Sequence, residues 1–147
     1  MKINSLDANL REDIGKKASK ILRVSKLVPA VIYGKSMGTV SISLDKLALL
    51  KLCYKENFMS QMIEIKVKDK KYKVLPRDIQ THPVTDDVLH VDLLHLEEGA
   101  AIKVMVPIHI IGEDKAMGIK KGGVLNLVAR EIELSCKIDN IPSFIEI

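Results

Sequence analysis

Tryptophan is absent from this 147-residue chain, and aromatics make up only 3% of it, two phenylalanines and three tyrosines. A helix lying on a membrane surface needs bulky apolar anchors, and the one strongly basic helical segment offers only small and medium aliphatics. No window approaches the ~18 unbroken apolar residues of a membrane span. The opening stretch MKINSLDANLREDIG lacks an apolar core and a cleavage site, so no signal peptide is expected. Cysteine is almost as scarce. Cys53 and Cys136 stand far apart without a CxxC partner and read as reduced core residues of a cytosolic protein. The four histidines, His82, His90, His95 and His109, form no HExxH and no cluster with ligand spacing, so no metal or cofactor is expected. There is no GxGxxG, no phosphate-binding loop and no serine nucleophile motif.

One further absence is local. Between Asp13 and Asp45 the chain carries no acidic residue, yet it carries Lys16, Lys17, Lys20, Arg23, Lys26 and Lys35. Elsewhere the two signs are interleaved. Such a concentration repels itself in the folded state unless an external anion offsets it. Four of the six fall in a candidate helix from Gly15 to Ser25. At 100° per residue, Lys16, Lys20 and Arg23 lie within about 60° of one another. Ile14, Ala18, Ile21 and Leu22 gather on the far side, and Ser19 stands near the cationic edge. The cationic front suits a phosphate backbone, which is contacted by Lys, Arg, Ser and backbone N–H. A simple solvated face remains the alternative.

What is plentiful is apolar residue, at 47%, enough for a real core. Residues 1–95 hold 17 Lys and Arg against 11 Asp and Glu, whereas residues 96–147 hold 6 against 8. This asymmetry divides the chain near Leu96-Glu97-Glu98-Gly99 into a basic unit, 1–95, and an acidic one, 96–147. Strands are expected over 3–10, 28–33, 40–44, 63–67, 72–80, 88–96, 102–111, 124–128 and 131–136, with a short run at the C-terminus. Asp45 caps a second helix reaching Tyr54, with Leu47, Leu50 and Tyr54 at helical spacing. Residues Asp69-Lys70-Lys71 read as a turn, and Pro76 implies a sheet edge or a bulge. The expected fold class is mainly β: a small N-terminal β-barrel with two short helices, followed by a β-rich C-terminal domain. Gly112-Glu113-Asp114 and Gly122-Gly123 read as loop and turn.

In His90-Val91-Asp92 the polar pair is two apart on a strand, so both side chains share one face. Three readings stand open: a base with its orienting carboxylate, a hydrogen-bonded pair on a sheet surface, or a pair presented to a ligand.

The run GKKASKILRVSKLVPAVIYGKS resembles the N-terminal signature of the bacterial large-subunit ribosomal protein number twenty-five, the family also called Ctc or general stress protein. RDIQTHPVTDDVLHVDLL, from Arg77 to Leu94, resembles its next signature. IKVMVPIHIIGEDKAMGIKKGGVLNLVAREIELSC resembles the C-terminal domain of the family's long form. The three blocks stand in the family's order and span most of the chain. The resemblance implies a β-barrel that grips an irregular helical region of 5S rRNA from its minor groove, where A-form RNA displays its 2′-hydroxyls. Carried over by position, the RNA-contacting residues would be Arg11, Lys16, Ser19, Lys20, Arg23, Tyr33, Gln80, His90 and Asp92. The first, second, fourth and fifth of these would neutralise phosphates. Tyr33 would offer its hydroxyl or ring, and Gln80, His90 and Asp92 would bond 2′-OH groups or base edges. The ligand-facing reading of His90 and Asp92 gains accordingly.

Departures from the family pattern are Lys17 in place of a usual Gly, Lys20 in place of a usual Arg, and Pro76 in place of an aliphatic. Lys keeps the charge but not the bidentate fork. The C-terminal domain, closing on Phe144-Ile145-Glu146-Ile147, is expected to be shortened relative to the family. The functional expectation is a structural, non-enzymatic constituent of the large ribosomal subunit that binds 5S rRNA. Its C-terminal domain would meet other rRNA and proteins of the subunit. It would be cytoplasmic and ribosome-associated, with no membrane and no small-molecule substrate. The runner-up is a small cytosolic enzyme or ligand-binding β-barrel using His90 and Asp92.

Overall fold

The computed structural model describes residues 4–147 except 14, 56 and 98, and the backbone alone at 139. Six strands close into a barrel: β1 (Asn4–Leu10), β2 (Leu27–Tyr33), β3 (Val40–Asp45), β4 (Ile63–Val67), β5 (Lys70–Thr81) and β6 (Val88–His95). Their order around the ring is β1-β3-β2-β6-β5-β4, with β4 returning to β1. The β1–β4 and β2–β6 pairs are parallel and the other four antiparallel. Strict alternation drives the closure. In β4, Ile63, Ile65 and Val67 are buried, while Glu64 and Lys66 between them are only half-buried. With Val28, Ala30, Ile32, Ile42, Leu44, Val74, Val91 and Leu93 they fill the barrel.

The two prolines of the barrel strands, Pro29 and Pro76, sit where no ladder bond is needed. Pro29 precedes the first β2–β6 pair, Ala30 with Val91, so only β3 flanks it. Pro76 lies beyond the last β4 partner, Val74, and beside a register shift between Pro76 and Asp78. It is at once a local edge and a bulge.

Two helices decorate the barrel. α1 (Lys16–Val24) lies against β2, between Gly15 and Ser25. None of its residues is buried. Ala18 and Leu22 are half-buried, but Ile21 is 66% exposed, so the expected apolar back is only partly packed. Ile14 lies outside the described residues, as do Ile3 of the first expected strand and Glu98 of the expected boundary. α2 (Lys46–Cys53) begins as expected, with the Asp45 carboxylate accepting from the Ala48 N–H at 2.8 Å. Its core stripe is Leu49 and Leu52, however, while Leu47 and Tyr54 point outward at 62% and 83% exposure. The spacing is equally helical for both sets, and only the position of the barrel decides between them.

Beyond the barrel, β7 (Ala101–His109) is the central strand of a three-stranded sheet. β8 (Glu131–Lys137) lies antiparallel on one side and β9 (Ile145–Glu146) parallel on the other. The expected strand over 124–128 does not form. Val124 and Val128 are each 93% exposed, in irregular chain after the short helix α3 (Met117–Lys120). The 68–69 turn is tighter than expected, and Lys70 and Lys71 already belong to β5. A second apolar cluster joins Ile102, Val104, Val106, Ile138 and Ile141 to Leu96 and to Leu75 of the barrel. Cys53 and Cys136 are free and half-buried, and burial pushes the Cys53 thiol up to about 11.

Candidate nucleic-acid interface

The polar face of α1 and the outer wall of the barrel bound a cleft of about 740 Å³. It is lined by Arg11, Gly15, Lys16, Ser19, Lys20, Arg23, Val31, Ser41 and His90. Among the described residues four cations face it and no carboxylate does. Six of the nine residues proposed from the sequence meet here, brought together from the end of β1, from α1 and from β6.

The register explains the meeting. Val31 of β2 pairs with Ser41 of β3 on one side and Asp92 of β6 on the other. His90 pairs with Gln80 of β5. Alternation places Val31 and Tyr33, His90 and Asp92, and Gln80 on the outside of adjacent strands. All nine residues therefore lie on one side of the barrel, with Tyr33, Gln80 and Asp92 beside the cleft rather than within it. The helix holds the cationic row above this wall.

Two of the arginines are also structural. The Arg23 guanidinium donates through Nε and Nη2 to the Leu89 carbonyl at 3.2 and 3.0 Å, anchoring α1 to β6 beside His90. Five N–H donors on the fork leave three for a phosphate. Arg11 Nη2 donates to Ser19 Oγ at 3.3 Å and to the Asp13 carbonyl at 3.1 Å, while its Nε is buried with no partner. Lys16 and Lys20 are exposed.

His90 Nδ1 stands 2.8 Å from Asp92 Oδ1. The carboxylate orients the ring and leaves Nε2 for another partner. Asp78 is the cross-strand neighbour of Asp92, and like charges directly opposite repel, which favours a positive or hydrogen-donating partner over this wall. Among the described residues no group of three His, Cys, Asp or Glu is placed to hold a metal ion. A second groove, about 700 Å³, runs behind α1 past Leu10, Glu12, Asp13, Lys17, Ala18 and Ile21. It shares Arg11 and Lys16 with the cleft, and its two carboxylates, set against three cations, make it the poorer seat for a phosphate.

Sequence reasoning missed Val31, Ser41 and the Leu89 carbonyl. Each enters through cross-strand register or backbone position, for which the chain carries no side-chain signal.

Residues 6–93 match the family model described as the ribosomal L25p family, and residues 101–147 match that described as the C-terminal domain of ribosomal protein TL5. A protein of Afipia carboxidovorans named large ribosomal subunit protein bL25 is 42% identical over 145 residues, 99% of this chain and 60% of that protein. One of the same name from Rickettsia africae is 43% identical over 145 residues, covering 99% and 71%. Another from Zymomonas mobilis is 41% identical over 138 residues, covering 94% and 63%. The chain thus spans roughly two thirds of the length of these relatives.

Proposed function

Because this chain belongs to the ribosomal L25p family, we propose that it is a structural, non-enzymatic constituent of the large ribosomal subunit that binds 5S rRNA in the cleft between α1 and the barrel wall. The observation that carries the reading is the convergence of Arg11, Lys16, Lys20 and Arg23 on one cleft that also holds Ser19 and His90. Mechanistically, the cations follow the phosphates of an A-form helix. The wall of His90, Asp92, Gln80 and Tyr33 faces its shallow minor groove, where 2′-hydroxyls and base edges are within reach. The outcome is positioning, with no bond made or broken. Residues 1–95 form the RNA-binding domain, and residues 96–147 form a second domain that meets other parts of the subunit. The protein is then cytoplasmic and ribosome-associated. The test is retention of isolated 5S rRNA by the full chain in competition with an unrelated RNA of equal length. Preferential retention supports the reading, and equal retention of both overturns it.

A further inference from the structure

The cleft is not the only concentration of positive charge. Between Lys66 and Lys73 stand five lysines, Lys66, Lys68, Lys70, Lys71 and Lys73, with Asp69 the one acid among them. The structure places them on the β4–β5 hairpin. Lys66 is the direct cross-strand partner of Lys71 on one side and of Asp7 on the other, so a single acid in that row faces two cations that repel each other. Among the described residues Lys71 pairs with Glu64 at 3.4 Å. Lys68 sits in the turn at φ 52°, a left-handed conformation unfavourable for a lysine.

The hairpin is also in the wrong place to serve the cleft. In the ring β1-β3-β2-β6-β5-β4, β4 is three strands from β2 by either route. Since α1 and the cleft lie on β2, the outward side chains of β4 point away from them. A rigid RNA helix seated in the cleft cannot reach Lys66 and Lys71.

We propose that the outer face of the β4–β5 hairpin is a second docking surface, for the sugar-phosphate backbone of an rRNA segment other than 5S rRNA. RNA is favoured over an acidic protein by the composition of the face. Its outward positions on β1, β4 and β5 are Ser5, Asp7, Glu64, Lys66, Lys71 and Lys73, without an aromatic or aliphatic anchor. Lysine is depleted from protein interface cores but is a common donor to phosphate. The barrel then acts as a spacer, holding one RNA helix on the β2 side and a second on the β4 side.

The inference takes its setting from the ribosomal reading, and the experiment separates the two. A photo-crosslinking amino acid is placed at position 66 of the full chain, and in a parallel variant at position 20, and each is incorporated into large subunits. The expected result is a crosslink from 20 to 5S rRNA and from 66 to another rRNA. In the same subunits, a K66E/K71E variant should be released by salt washing at lower concentration than the parent, while its affinity for isolated 5S rRNA stays within about twofold. A crosslink from 66 to 5S rRNA, to protein alone or to nothing overturns the second surface while leaving the cleft intact. Failure of the position-20 crosslink to reach 5S rRNA counts against the cleft instead.

Discussion

Replacing Lys20 by alanine removes a cation from the cleft without touching the fold, because Lys20 is an exposed side chain of a helix that buries none of its residues. Phosphate contacts release counterions, so log K falls with log salt by about 0.7 to 0.9 per phosphate. Four to six contacts give a slope of roughly −3 to −5 and a loss of about 60- to 1,000-fold in affinity between 50 and 200 mM salt. Lys20→Ala should make the slope shallower by about one unit. Arg23→Ala should do the same and should also loosen α1, since it deletes both hydrogen bonds to the Leu89 carbonyl. Anisotropy titrations of labelled 5S rRNA over a salt series read the slope, and a thermal melt confirms folding. Unchanged slopes in folded variants of both residues would remove the basic row of α1 from the interface, and the electrostatic argument would fall with it.

Asp92→Asn should weaken 5S rRNA binding yet leave the melting temperature nearly unchanged. The group is half-buried on an outer wall and faces Asp78, and such substitutions usually stay within about ±0.5 kcal/mol; a collapse of stability makes the His90–Asp92 pair structural. A fragment of residues 1–95 should fold and bind 5S rRNA within tenfold of the full chain. It should be less stable, because Leu75 loses its cover from Leu96, Ile102 and Val104, at about 1.5–3 kcal/mol for one exposed leucine; an unfolded fragment would refute the two-domain division. On acidification, the hydrogen bonds from Lys46 to Asp87 and from Ser36 to Glu97 hold both carboxyls below the usual carboxylate range. A lowered folded value contributes stability at neutral pH that is lost as pH falls below about 4. The melting temperature of the parent should therefore drop in that window more than that of Asp87→Asn or Glu97→Gln, and identical curves would show that neither contact matters.

The barrel strands were legible because alternation such as Ile63-Glu64-Ile65-Lys66-Val67 has one period and one consistent burial. The capped start of α2 was legible for a similar reason: Asp45 offers a carboxylate at the one place a helix can use it. The face of α2 was not, since Leu47/Leu50/Tyr54 and Leu49/Leu52 are both helical stripes and the choice belongs to tertiary packing. Residues 124–128 look apolar enough for a strand but run as irregular chain, with Val124 and Val128 turned to solvent. At the site, side chains with their own chemistry were visible in the sequence, Arg23 and His90 among them. The carbonyl that anchors Arg23, and the Val31–Ser41 floor between the helix and β6, depend on register. The lysine hairpin was in plain view, but its meaning comes from ring order, which places β4 opposite β2.

The central claim is that RNA sits between α1 and the outer wall of β2 and β6. Titrating the isotopically labelled full chain with 5S rRNA and following its backbone amides tests this most directly. The account predicts the largest perturbations at Arg11, residues 15–23, Tyr33, Gln80 and residues 90–92, with little change over β7 to β9. Perturbations concentrated in residues 96–147, or absent from α1, would contradict it.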